Sequence, residues 1–228
     1  MKRTSMIVGI ISLLVSALPA AAGEVLDRIV AKVNGHAILQ SDWEDAIRFE
    51  AFVDGRLPDQ LSAAAAKAAL NRLIDQELLR EQMRSSDFQA ATKAEVSARV
   101  EEIRKKYPEA SSEAGWRSLL TRFGLTEDEL NSRLGAQLDT MRLIDAHLRP
   151  AVNIDSQSIE SYYTQQLLPQ LLQSGKTAVP LADITPTIKE LLTQKRMDQL
   201  LVAWLQTLHA ASEIYIEPPA AASGRQVQ

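Results

Sequence analysis

Asn34-Gly35 lies between two short apolar runs, Val25 to Val33 and His36 to Leu39, and no other pair of residues limits the fold so strongly. Both turn positions of a type I′ hairpin need positive φ, which asparagine and glycine accept at the lowest cost. In the first run Ile29, Ala31 and Val33 alternate with Arg28, Val30 and Lys32, so one face of a strand is apolar. A hairpin over residues 25–39 is expected. A second strand-like segment, Glu213 to Glu217, stands near the other end of the chain. So short a strand cannot leave its N–H and C=O groups unpaired. Its obvious partner is the hairpin. The chain ends then meet in one small sheet, and everything between them is an excursion from it.

That excursion reads as helix. Ser41 with Glu44, Thr92 with Glu95, and Thr126 with Glu129 have the spacing of capping boxes, each preceding an apolar periodicity. The first helix runs to about Val53, where Gly55 and Pro58 interrupt it. Ser62 opens an alanine-rich helix to about Met83, with Leu70, Leu73, Ile74, Leu78 and Leu79 on one stripe. Pro108 stops the next helix, and Gly124 stops a short one carrying Trp116, Leu119, Leu120 and Phe123. From Thr126 the residues Leu130, Leu134, Leu138, Met141, Ile144 and Leu148 advance in steps of three and four, up to Arg149-Pro150. Another helix spans Asp155 to about Leu168. A polar connection follows from Gln173 to Pro186, then a last helix from about Thr187 to Ala210 with Ile188, Leu191, Met197, Trp204 and Leu208 on its buried side. The expected class is mostly α, a helical core (helices over about 41–210) closed by a small β-sheet of the N-terminal hairpin and the C-terminal strand 213–217.

Composition narrows the function. Cysteine is absent, so disulfides, thiolate metal sites and a cysteine nucleophile are excluded. A net charge of −4 is no basis for nucleic-acid binding. At the N-terminus Lys2 and Arg3 precede the apolar run Met6 to Val15, then Pro19 and the small residues Ala20 to Ala22. This is the pattern of a cleaved secretory signal over residues 1–22, its apolar run shorter than the about 20 residues that span a bilayer. Cleavage leaves 23 basic against 29 acidic residues. The expected product is an exported, periplasmic domain over residues 23–217 without a membrane span, followed by a disordered tail over 218–228.

Catalytic motifs fail. Gly175-Lys176-Thr177 resembles the end of a phosphate loop, but Gln170 stands where the first glycine belongs. No Gly-x-Ser-x-Gly elbow and no His-Glu-x-x-His helix is present. His147 and His209 fall at predicted helix C-termini, where they complement the dipole. No catalytic residue, cofactor or metal site is expected. What remains is apolar surface: Phe49, Phe52 and Leu57 at the end of the first helix, Trp116 and Phe123 on the short helix, and Tyr162 with Tyr163. Each of these seven also suits an ordinary core. The functional reading makes them the client contacts of an inter-helical groove that holds unfolded chains.

Val25-Leu-Asp-Arg-Ile-Val-Ala-Lys-Val-Asn-Gly-His-Ala-Ile-Leu-Gln-Ser-Asp42 resembles the mature N-terminus of the SurA-type periplasmic chaperones and their peptidyl-prolyl isomerase relatives. Ile184 to Ile216, ending Ser-Glu-Ile-Tyr-Ile, resembles their closing helix and strand. The resemblance implies a chaperone core that cradles non-native outer-membrane proteins without ATP. It also implies parvulin isomerase domains between the helix of Tyr162-Tyr163 and the last helix. Here only about Leu167 to Pro186 fills that place, far below the roughly 50 residues of a small domain. The expectation is a holdase without isomerase activity, its partners unfolded exported polypeptides, with self-association as a further possibility. A non-catalytic subunit binding one folded partner in the cell envelope is the alternative.

Overall fold

The computed structural model describes residues 27–56, 62–84 and 88–217. The expected signal, the tail and Leu57 lie outside the described residues. Two strands, β1 (Ile29–Val33) and β2 (His36–Leu39), form the hairpin, with Asn34 at φ 48° and Gly35 at φ 85° in its turn. Both angles are what a type I′ turn demands. Strand β3 (Ile214–Ile216) pairs antiparallel with the other side of β1, giving the order β2-β1-β3. The strands nearest the two ends of the described residues do meet in one sheet.

One detail departs from simple alternation. Ile29 pairs with Leu39 and Ala31 with Ile38, so β1 carries one extra residue, Val30, as a bulge. The bulge turns Val30 inward, and it is buried beside Ala31 and Val33 rather than lying with Arg28 and Lys32 on the polar face.

The helices are α1 (Gln40–Asp54), α2 (Ala63–Arg84), α3 (Lys93–Arg104), α4 (Glu113–Arg122), α5 (Glu127–Leu148), α6 (Ser156–Tyr162), α7 (Leu168–Gln173) and α8 (Leu181–Ala210). A π-helical turn, Tyr163–Leu167, joins α6 to α7. Thr92 and Thr126 cap α3 and α5 as reciprocal boxes with Glu95 and Glu129, and Ser112 caps α4. Helix α1 starts differently from the reading of Ser41 as its cap. Gln40 N–H still bonds the Arg28 carbonyl at 2.7 Å, so strand runs straight into helix. The Asp42 carboxylate accepts from Leu39 N–H at 2.9 Å, while the Ser41 hydroxyl donates to Asp27.

Helix α8 also begins earlier than Thr187, with Pro186 inside it. Pro186 is the sixth residue of the helix, so it removes one helical bond, the one its N–H would make to the Ala182 carbonyl. Only Ile188 and Met197 of α8 are fully buried, while Leu191 is exposed and Trp204 and Leu208 are half-buried. α8 packs on α5, α6 and α2. Nothing among the described residues covers its outer side.

Two apolar clusters hold the molecule. One packs β1 and Ile38 against Leu70, Ile74 and Leu78 of α2, with Trp43, Leu208 and Ile214 at its margin. The other joins the end of α1 to α3, α4 and the first half of α5 around Phe52, Tyr107, Trp116 and Phe123. Helix α1 belongs to both. Among the described residues no helix is long and apolar enough to cross a membrane.

Candidate functional site

Helices α1, α2 and α5 converge without closing on one another, leaving a groove of about 730 Å³. Phe49 and Val53, one helical turn apart on α1, supply part of its apolar wall. Leu73 and Met83 of α2 and Ala136 and Met141 of α5 supply more of it. Met141 is 59% exposed, a large apolar side chain that the fold leaves uncovered. Its helix position is apolar by period, but α5 buries its first half against α3 and α4 and turns its second half toward α8.

The groove's charges balance. Arg56, Arg72, Arg80 and Arg133 line it together with Asp42, Glu50, Asp54 and Glu77. Arg72 reaches from α2 to Glu50 of α1 with both nitrogens, Nε to Oε1 at 2.6 Å and Nη2 to Oε2. That bond is the main reason its pKa is raised. Arg133 of α5 donates to Asp45 Oδ2 at 3.0 Å, and its guanidinium lies 5.9 Å from the centroid of the Phe49 ring. The two arginines brace α2 and α5 against α1 and so set the width of the groove.

Glu77 lies at the end nearest the hairpin and is 6% exposed. Arg80 Nε donates to its Oε2 at 2.7 Å, and His36 Nε2 stands 3.7 Å from the same oxygen. Oε1 has no hydrogen-bond partner among the described residues. A buried acceptor left unpaired costs on the order of 1–3 kcal/mol.

Of the seven expected contact residues, the groove gathers one, Phe49. Phe52, Trp116 and Phe123 are instead core. Phe52 packs at 5.4 Å from Tyr107, 5.9 Å from Trp116 and 5.2 Å from Phe123, ring centroid to ring centroid. Stacked and edge-on rings satisfy one another, so these three offer no surface while the cluster is closed. Their reading as groove wall is corrected to core. Tyr162 and Tyr163 sit elsewhere: Lys195 Nζ is 4.8 Å from the Tyr162 ring centroid, and the Tyr163 hydroxyl donates to the Val179 carbonyl at 2.9 Å. Leu57 is not among the described residues. Leu73, Glu77, Met83 and Met141 were not singled out as contacts in the sequence. Leu73 and Met141 carry the signal of the apolar stripes of α2 and α5, and Glu77 that of an acid one helical turn from Leu73 and Ile74.

The groove's lining offers apolar contact and exchangeable ion pairs. Among the described residues no group of three or more histidine, aspartate or glutamate side chains is placed to hold a metal ion.

The chain is 28% identical over 213 residues to the protein named Chaperone SurA of Chromobacterium violaceum, an alignment covering 88% of this chain and 46% of that one. It thus spans about half the length of that curated relative. The sequence pattern of the SurA-like N-terminal domain matches residues 2–144, which include the hairpin, both walls of the groove and most of α5. That match covers well over half of the chain, and the chain belongs to the family with a SurA-like N-terminal domain.

Proposed function

We propose that the protein is an ATP-independent periplasmic holdase for unfolded exported polypeptides, outer-membrane protein precursors among them, and that it works without prolyl isomerase activity. The observation that carries this reading is the open, charge-balanced groove between α1, α2 and α5, with Phe49 and Met141 in its wall. Burying one client side chain there contributes about 1.5–3 kcal/mol, so a few contacts retain a chain and still let it go. Balanced charge favours no polyanion or polycation, which fits clients of varied sequence. The Lys2–Ala22 pattern supports export, and the short Leu168–Pro180 stretch between the π-helical turn and α8 supports a core acting without an isomerase module.

The test is suppression of light scattering by a denatured outer-membrane protein diluted out of urea. The protein is expected to suppress aggregation near stoichiometric ratio. Met141→Asp, at an exposed position, should leave the fold intact and weaken client affinity by roughly tenfold, the loss of one buried apolar contact. No suppression by the wild-type chain overturns the holdase reading. A single saturable complex with one folded partner, without suppression, supports the interaction-subunit alternative, and acceleration of a proline-limited refolding reaction overturns the absence of isomerase activity.

A further inference from the structure

The sheet has two edges, and they end differently. At the β2 edge the strand passes directly into α1, and Leu39 N–H is taken by the Asp42 carboxylate. At the other edge β3 pairs with β1 alone. Asn34 N–H bonds the Glu213 carbonyl and Glu217 N–H bonds the Val30 carbonyl, both at 2.9 Å, with Lys32 opposite Tyr215 between them. Bonded pairs recur at every second residue of an antiparallel ladder. The pairs are therefore Asn34 with Glu213, Lys32 with Tyr215 and Val30 with Glu217. Ile214 and Ile216 turn their N–H and C=O groups outward, where no strand among the described residues receives them. The side chains along this edge are open as well, Tyr215 being 55% and Ile216 48% exposed.

We infer that the β3 edge is a second client subsite, one that takes an extended segment of a non-native polypeptide as a fourth strand. The inference rests on the proposed chaperone role but lies outside the groove. The choice of occupant follows from charge. Glu213 and Glu217 flank the three strand residues. A second copy of β3 added antiparallel about Tyr215 sets Glu213 against Glu217 at both ends, and a parallel copy sets each acid against itself. Like charges directly across a ladder are destabilising, so the edge rejects its own copy. It favours a foreign strand with alternating apolar residues and basic residues beside them. Edge strands commonly use flanking charge to stop self-pairing; here the same charge selects the partner.

The experiment uses the full chain and a soluble peptide of alternating valine and threonine between flanking lysines, with amide hydrogen exchange read by NMR. The peptide should slow exchange at Ile214 and Ile216. Ile216→Pro removes one outward donor and no bond to β1, and should weaken peptide binding by about tenfold. Glutamates in place of the flanking lysines should weaken it too. N-methylation of alternate peptide residues should abolish binding in one register and spare it in the other, a result that needs no protein variant. Unchanged exchange at Ile214 and Ile216, protection confined to the α1–α2–α5 groove, or equal binding of lysine- and glutamate-flanked peptides overturns the inference. So does a β3-mediated dimer. If the chain suppresses client aggregation but fails these tests, the edge proposal falls alone; if the peptide adds to β3 while aggregation proceeds, the holdase reading falls alone.

Discussion

Asn34 shows how much one side chain can do beyond its local signal. Its φ of 48° makes the hairpin turn, which the Asn-Gly pair announces. Its amide also donates to Glu81 Oε2 at 2.7 Å and to Ser212 Oγ at 3.2 Å, and its Oδ1 accepts from Glu213 N–H at 2.9 Å. One residue thereby ties the turn to α2 and to the start of β3. Asn34→Gly keeps the turn and removes three exposed bonds, and should lower stability by about 1–2 kcal/mol in urea unfolding. Asn34→Ala should lose roughly 1 kcal/mol more, since alanine resists positive φ. Glu95 carries a different kind of prediction. Bonds from the Thr92 side chain and backbone, then from Arg142, hold its pKa down at about 2 against an ordinary 4.5. A carboxylate depressed in the folded state stabilises above the unfolded value and loses that contribution as pH falls through the folded one. The urea midpoint of the wild type should therefore exceed that of Glu95→Gln at neutral pH, with the gap closing between about pH 4.5 and 2. A gap independent of pH would show that the carboxylate charge is not what stabilises the cap.

Helices α3 and α5 begin where their caps say, because a cap is chemistry among residues three apart. The starts of α1 and α8 are hidden for the opposite reason. α1 inherits its entry from a strand bond to Arg28, and α8 absorbs a proline that local rules place before a helix. Pro186→Ala should restore one backbone donor in the second turn. We expect a gain of up to about 1 kcal/mol, offset in part by the greater freedom of the unfolded chain. Denaturant midpoints and helical ellipticity check it; a loss would mean that the proline ring itself packs usefully. The stripe of α5 teaches a related lesson. Its period marks Leu130, Leu134 and Met141 alike, yet the first two are buried and Met141 is open on the groove. Period identifies a face, and only neighbouring helices determine how much of that face is covered.

At the scale of the molecule the chain closes on itself: β3 completes the sheet begun by the hairpin, and α8 is held beside α2 by His209 Nε2, 2.6 Å from Asp75 Oδ1. Ending the chain at Ser212 removes the β1–β3 bonds and the packing of Ile214 on the first cluster. It should cost roughly 3 kcal/mol, from a few net backbone bonds and one apolar side chain. Thermal unfolding should show it, and an unchanged midpoint would mean that the hairpin and α2 suffice. The groove, by contrast, should survive this truncation, since α1, α2 and α5 are braced by Arg72 and Arg133 rather than by the sheet. By itself the sequence determined the class, the hairpin, the pairing of the late strand with it and the starts of α2, α3, α5 and α6, all of which depend on residues close in the chain or on a lone strand's need for a partner. Only the tertiary structure decided which aromatic residues are core and which apolar residues are exposed. Phe52, Trp116 and Phe123 look no different in sequence from Phe49, but exposure is a property of how helices pack around a residue, and a side chain carries no local mark of what will finally lie against it.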